Sequence, residues 1–414
     1  MTGSMTNLSF TPEQNTAPTE ASLVLKDGTR YNGYSFGFRK AVAGEVVFNT
    51  AMSGYPESLT DPSYRGQILV LTYPLIGNYG VPPMQMKDKL QENFESGIIH
   101  VSGLIISEYS FESSHWNAWT SLSQWLIRNR IPALGGIDTR ALTIRLREKG
   151  TMPGKIVFPG DQIDFADPDR KNLVAEVSTK KVITYGGGKH KIVLVDCGVK
   201  NNIIRKLLER DTTVIRVPWN HDFNGMEYDG LFISNGPGDP VHCKPVVKNI
   251  SKAFEGERPV FGICLGNQLM GLAAGGETYK LRYGHRSHNQ PVLLKGTNRC
   301  FVTSQNHGFA TRTETLGSDW EELFLNINDN TNEGIRHKTK PFFSTQFHPE
   351  AASGPTDTDF LFDEFLRMVE EYRKNAGRQK QSRTSDSGKR KGSASRQGID
   401  RTKEPSQKYR KPKK

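Results

Sequence analysis

Residues 259–268 read PVFGICLGNQ: an apolar run that reaches Gly262, one cysteine between Gly262 and Gly266, and then an apolar, helix-compatible segment from Leu265 to Ala274. That order predicts a strand, a sharp turn and a helix, with Cys264 at the turn. A G-x-C-x-G turn is the cysteine counterpart of the G-x-S-x-G nucleophile elbow, whose glycines let the backbone fold tightly and keep side chains out of a substrate's way. The helix N-terminus beyond it favours a thiolate and offers free backbone N–H groups. Taken alone, the pentapeptide is as compatible with a buried structural cysteine before a helix. Its surroundings have to decide.

Working outward, Lys191 to Asp196, Val214 to Val217, Gly230 to Ile233 and Pro259 to Ile263 are short, nearly continuous apolar runs. Helical segments such as Asn201 to Arg210 and Pro245 to Phe254 separate them. Strands alternating with helices at this spacing imply a parallel, doubly wound sheet, in which ligands bind at the carboxyl ends of strands. Cys264 falls at such an end.

A cysteine nucleophile needs a base to take its proton and return it to a leaving group, and the base needs an orienting partner. Phe342 to Phe347 reads as another buried strand and delivers His348-Pro349-Glu350, which can hold imidazole and carboxylate side by side across a rigid proline. Asn235-Gly236-Pro237-Gly238-Asp239-Pro240 follows the strand ending at Ser234. Its glycines let backbone N–H groups approach a carbonyl and stabilise the oxyanion formed on attack. Cys264, His348 and Glu350 are therefore the candidate catalytic residues.

The rest of the chain divides by composition. Residues 1–21 read as a disordered leader, and residues 22–168 as a mixed α/β domain. This domain opens with a hairpin around Asp27-Gly28, has strands at Glu45 to Thr50 and Gln67 to Thr72, and has helices at Ala118 to Arg128 and Arg140 to Glu148. Residues 169–190, with Gly186-Gly187-Gly188, read as a linker or hinge. Residues 191–374 form the doubly wound domain, closed by a helix from Thr358 to about Lys374. Residues 375–414 hold 14 Lys and Arg against 3 Asp and Glu, which leaves 41 of each sign before them. The net charge of +11 therefore lies in a tail expected to be disordered and basic. With a single tyrosine there is little base-stacking capacity, so nucleic acid is not the expected partner.

Four cysteines without C-x-x-C spacing, no signal or presequence pattern and no long apolar run point to a cytoplasmic protein. His285 and His288 have H-x-x-H spacing but no accompanying carboxylate or cysteine cluster, and no metal site is read there.

GICLGNQ, SNGPGDP and FHPE together resemble the triad, or class I, glutamine amidotransferases. GEVVFNT, GYPESLTDPSYRGQILVLTYPLIGNYG, GGIDTRALT and LREKG look like the small, glutamine-hydrolysing subunit of carbamoyl-phosphate synthetase, closest to the glutaminase region of the multifunctional pyrimidine-pathway enzyme. The resemblance runs from about Ser22 to Lys374. It implies Cys264 as nucleophile, His348 as base and then acid, and Glu350 as orienter. It also implies glutamine binding by Ser63, Gly236, Gly238, Leu265, Gln268, Asn306, Gly308 and Phe309, with the N–H groups of Gly238 and Leu265 as oxyanion hole. No cofactor is implied in this chain; ATP, bicarbonate and Mg would serve a synthetase large subunit, the implied partner that takes up ammonia through an internal passage. Many relatives carry His where this chain has Asn267, which changes tuning without removing the triad. Urea-cycle relatives that lack the cysteine depend on free ammonia, whereas Cys264 is retained here. Two readings compete: an amidotransferase serving another synthetase, and a catalytically weak scaffold or regulatory protein with a nucleic-acid-binding tail.

Overall fold

The computed structural model describes residues 19–391. Most of the expected leader, and residues 392–414 of the expected basic tail, lie outside the described residues. The first domain closes a barrel whose strands run, in spatial order, Glu20–Leu25, Met152–Val157, Val42–Asn49, Gln67–Leu71, Gly103–Ile105, Ala133–Gly135 and Arg30–Ser35. The hairpin around Asp27-Gly28 forms with Leu23 opposite Tyr31. Alternate residues along its parallel strands feed two apolar clusters. Val46, Phe48, Ile68 and Val70 enter one, and Val47, Leu69 and Leu71 enter the other. Both faces are thus buried, which is why these strands read as continuous apolar runs. The helix expected from Ala118 begins at Leu122, because the Ser121 hydroxyl accepts from the Gln124 N–H and caps it.

The second domain is built on one sheet of ten strands. Thr212–Pro218, His190–Asp196, Gly230–Ile233, Val260–Ile263 and Phe342–Thr345 are consecutive parallel neighbours. On one face Ile192, Leu194, Phe232, Phe261 and Ile263 pack against Phe362 and Phe365 of the helix Phe360–Lys391. On the other, Val193, Val195, Leu231 and Ile233 pack against Val246 and Ile250 and against Leu269 of the helix Leu265–Ala273. Helices on both faces make the sheet doubly wound, and burying each such side chain contributes roughly 1.5–3 kcal/mol.

Three features depart from the expectation. Beyond Phe342–Thr345 the sheet continues with antiparallel strands, ending in a long ribbon of Thr278–Leu294 against Cys300–Thr311. The stretch 169–190 is more than a linker: Leu173–Val177 is helical and Ile183–Gly186 is an edge strand antiparallel to Thr212–Pro218. The glycine triplet serves close approach rather than a hinge, since a Cβ on Gly188 would lie 2.1 Å from the Asp211 carbonyl carbon. The last helix also runs past Lys374 to Lys391. The Leu361 and Phe365 face expected to be buried is in the core.

Candidate active site

The strand Val260–Ile263 stops at Cys264, whose backbone takes φ 56° and ψ −103° before the helix Leu265–Ala273 begins. Such a conformation costs on the order of 1–3 kcal/mol for a residue with a side chain. It is held by the Cys264 N–H donating to the Thr345 carbonyl at 2.7 Å. The flanking glycines are sterically required: a Cβ on Gly266 would lie 2.3 Å from the Ile233 oxygen, and one on Gly262 would lie 2.8 Å from the Gly266 backbone. The turn therefore projects the thiol at the carboxyl end of the sheet.

The neighbouring strand Phe342–Thr345 leads to His348, whose N–H donates to Ser304 O at 2.9 Å. His348 Nδ1 lies 2.7 Å from Glu350 Oε1, and both residues are buried. Burial disfavours the imidazolium, but Glu350 outweighs it, with a further contribution from Cys264, so the His348 pKa is raised. Burial likewise disfavours the Glu350 carboxylate, yet Lys200 and His348 hold its pKa below the ordinary value. His348 Nε2 is buried with no hydrogen-bond partner other than the neighbouring Cys264 thiol. With Nδ1 held by the carboxylate, Nε2 is the nitrogen free to exchange a proton with the thiol.

Lys200 was not picked out from the sequence. Its ammonium donates to Glu350 Oε1 at 3.0 Å and to Ala351 O at 2.9 Å, and the residue is buried. The available signal was its place in VDCGVK, just beyond the carboxyl end of the strand His190–Asp196. A buried ammonium here fixes the charge state and position of the carboxylate that orients His348.

Cys264 lines a cavity of about 30 Å³ together with Ser63, Gly236, Gly238, Gln268, Asn306, Gly308 and Phe309. Seven of the eight residues assigned to glutamine by resemblance thus meet at the thiol. The eighth, Leu265, packs its side chain in the core and is the first residue of the helix, where backbone N–H groups have no helical acceptor. Gln268 Nε2 donates to Phe309 O at 2.9 Å and to Gln346 Oε1 at 3.2 Å. The first domain reaches in twice: Asn235 Nδ2 donates to Ser63 Oγ at 2.9 Å, and Asn306 Nδ2 donates to Asp61 Oδ2 at 3.0 Å. Lys280 and Leu173 also line the cavity.

Asn267 is turned away from this cavity. It is fully buried, accepts from Ser344 Oγ at 2.7 Å and donates to Gln346 Oε1 at 3.1 Å. Its role is to tie the elbow helix to the adjacent strand.

His285 and His288 do not come together. His288 lines a cavity beside His348 and Lys200, where burial and Lys200 push its pKa down to about 4. His285 instead joins His307 and Glu333, whose ligand-type atoms lie within 4.8 Å of one another. Contrary to the expectation that no carboxylate accompanies His285, its Nε2 lies 2.8 Å from Asp329 and its Nδ1 3.2 Å from Glu333, both distant in sequence. Burial opposes the His285 imidazolium, but the two carboxylates outweigh it and push the pKa up to about 9. A raised histidine stabilises the fold fully below the ordinary histidine value and loses that contribution as pH rises through about 9. The melting temperature is therefore expected to fall between about pH 7 and about pH 10. In His285→Gln it should start lower and fall less over the same range.

Residues 193–368 match the family described as glutamine amidotransferase class-I, and residues 23–156 match the carbamoyl-phosphate synthase small chain, CPSase domain. Among curated relatives, carbamoyl-phosphate synthase [ammonia], mitochondrial, of Aquarana catesbeiana is 52% identical over 84% of this chain and 24% of its own length. The multifunctional protein CAD of Squalus acanthias is 52% identical over 85% of this chain and 16% of its own length. The chain thus spans about a quarter or less of these relatives. The carbamoyl phosphate synthase arginine-specific small chain of Debaryomyces hansenii is covered for 87% of its length, at 48% identity over 86% of this chain. An elbow cysteine facing a His–Glu pair on a doubly wound sheet, joined to a barrel domain of this kind, agrees with those matches, and the chain belongs to the carbamoyl-phosphate synthase small chain family.

Proposed function

We propose that this chain hydrolyses L-glutamine to glutamate and ammonia and delivers the ammonia to a carbamoyl-phosphate synthetase large chain. The observation that carries the reading is Cys264 on a strained elbow, lining one cavity with Ser63, Gln268 and Asn306 while His348, locked to Glu350, stands beside it. The thiolate attacks the side-chain amide carbon, and the oxyanion that forms faces the N–H groups of Gly238 and Leu265. His348 protonates the departing ammonia, leaving a γ-glutamyl thioester. A water deprotonated by His348 then attacks the thioester, releasing glutamate and restoring the thiol. ATP, bicarbonate and Mg would be bound by the large chain. All four cysteines are free, which supports a reducing compartment such as the cytoplasm. No helix among the described residues is long and apolar enough to cross a membrane.

Ammonia loose in neutral water is mostly protonated and no longer nucleophilic, so an enclosed route favours its use. Asn306 and His348 border a second cavity that also touches Lys200, Ala352 and Ser353. Glu57, Ala352 and Ser353 are shared in turn with a larger hollow of about 470 Å³ lined by Tyr79, His115 and Arg205. This series, joined to the cavity at Cys264 through Asn306, supports a passage leading away from the site.

The loop at the rim of that hollow exposes Trp116 by 89%, Trp119 by 74% and Phe111 by 76%. Aromatics so exposed on one loop mark a protein interface, and the partner proposed for it is the large chain. Trp116→Asp combined with Trp119→Asp is expected to weaken the complex at least about tenfold, as measured by calorimetry, without changing glutaminase turnover of the free chain. The function itself is tested by mixing the purified chain with a synthetase large chain. Complex formation and glutamine-dependent carbamoyl phosphate synthesis are expected; the absence of both would refute it.

A further inference from the structure

Arg286 lies on the ribbon strand Thr278–Leu294, opposite Asn306, and lines the same cavity as Cys264. The residue is only 5% exposed. Its Nη1 donates to Tyr283 O at 2.8 Å, whereas its Nε is buried without a hydrogen-bond partner. Glu45 is the carboxylate whose pKa Arg286 helps Lys280 to lower against the effect of burial. Its oxygens, however, are already taken by Lys280 at 2.6 Å, Thr151 at 2.8 Å and Gln67 at 2.9 Å. A guanidinium withdrawn from water with one donor edge unfilled is costly unless an anion comes to that edge.

The local backbone is shaped around this group. A Cβ on Gly284 would lie 2.5 Å from Arg286 Nη1, and one on Gly308 would lie 3.2 Å from Nη2. Gly308 is itself part of the cavity wall. Gly284 also meets His307 O, at 2.4 Å, so it is Gly308 that lets the guanidinium press against backbone at the cavity while its Nε stays unused. The Nε–Nη2 edge is the one that takes a carboxylate through two parallel hydrogen bonds.

We propose that Arg286 receives the α-carboxylate of the substrate. It thereby restricts this site to the side-chain amide of a free α-amino acid and rejects glutamine whose α-carboxyl is amidated or in peptide linkage. The proposal rests on the glutaminase reading above. The segment YGHRSHNQP resembles the family's loop near the glutamine site, but no role was assigned to this arginine.

The test compares L-glutamine with L-glutaminamide, in which a neutral amide replaces the α-carboxylate, on the full chain in complex with a large chain. For Arg286→Met, KM for L-glutamine is expected to rise about 100-fold with kcat changed by less than about threefold. kcat/KM for L-glutaminamide should stay within about threefold of wild type. Arg286→Lys keeps the charge without the fork and should lose about tenfold on L-glutamine alone. Equal losses on both substrates in Arg286→Lys, or an unchanged glutamine KM in Arg286→Met, would overturn the proposal. A wild-type complex that hydrolyses neither amide would instead overturn the glutaminase reading and this proposal with it.

Discussion

Cys264→Ala is expected to lower glutamine hydrolysis by at least about 10⁴-fold while leaving ammonia-supported carbamoyl phosphate synthesis by the complex unchanged. Both rates are measurable on one preparation, as glutamate release and as product formed from added ammonium. The split follows from the proposed function, in which the thiol forms the acyl intermediate while carbamoyl phosphate synthesis is carried out by the large chain. Little loss of stability is expected. The contact of Cys264 Sγ with backbone is a long one, 3.6 Å to Asn306 O, and alanine also fits the strained turn between Gly262 and Gly266. Equal glutaminase activity in the two proteins would remove Cys264 from the mechanism. Tight, salt-sensitive nucleic-acid binding without turnover would favour the scaffold reading.

Ser353→Phe should separate hydrolysis from synthesis. Ser353 borders both the small cavity beside His348 and the larger hollow that opens from it. An aromatic ring there would narrow the space the two cavities share, and Cys264 borders neither of them. Glutamine-dependent synthesis is expected to fall at least about tenfold, because ammonia that escapes loses the high local concentration a closed route provides. Glutaminase turnover and ammonia-supported synthesis should both stay within about threefold of wild type. A proportional fall in all three rates would mean that the substitution disturbs the fold and that the cavities are not a route.

The parts of the site that could be read from the sequence are those written in short, local patterns. The elbow required glycines on both sides of Cys264, and the i, i+2 spacing of His348 and Glu350 allowed a direct contact, which the structure forms at 2.7 Å. The apolar runs were legible because both faces of the parallel sheet and of the barrel strands are buried. The unread parts depend on residues far apart in the chain. Lys200 meets Glu350 across 150 positions and Asn306 meets Asp61 across 245; no local spacing encodes either pair. The ribbon Thr278–Leu294 against Cys300–Thr311 buries Arg286, Gln305 and His307, so it has no clean apolar alternation to mark it as a strand. The glycine triplet at Gly186 to Gly188 looked like a hinge because glycine permits both flexibility and close approach, and only the position of Asp211 distinguishes them. Asn267 looked like a tuning residue at the substrate, but its side chain points to Ser344 and Gln346 instead.

The most direct measurement is the mass of the intact protein after acid quench during turnover of L-glutamine, followed by peptide mapping. A γ-glutamyl group is expected on the peptide containing Cys264, accumulating further in His348→Asn if that variant still acylates, and absent from Cys264→Ala. Glutamate release at an undiminished rate in Cys264→Ala, or a glutamyl group carried by any other residue, would contradict the account.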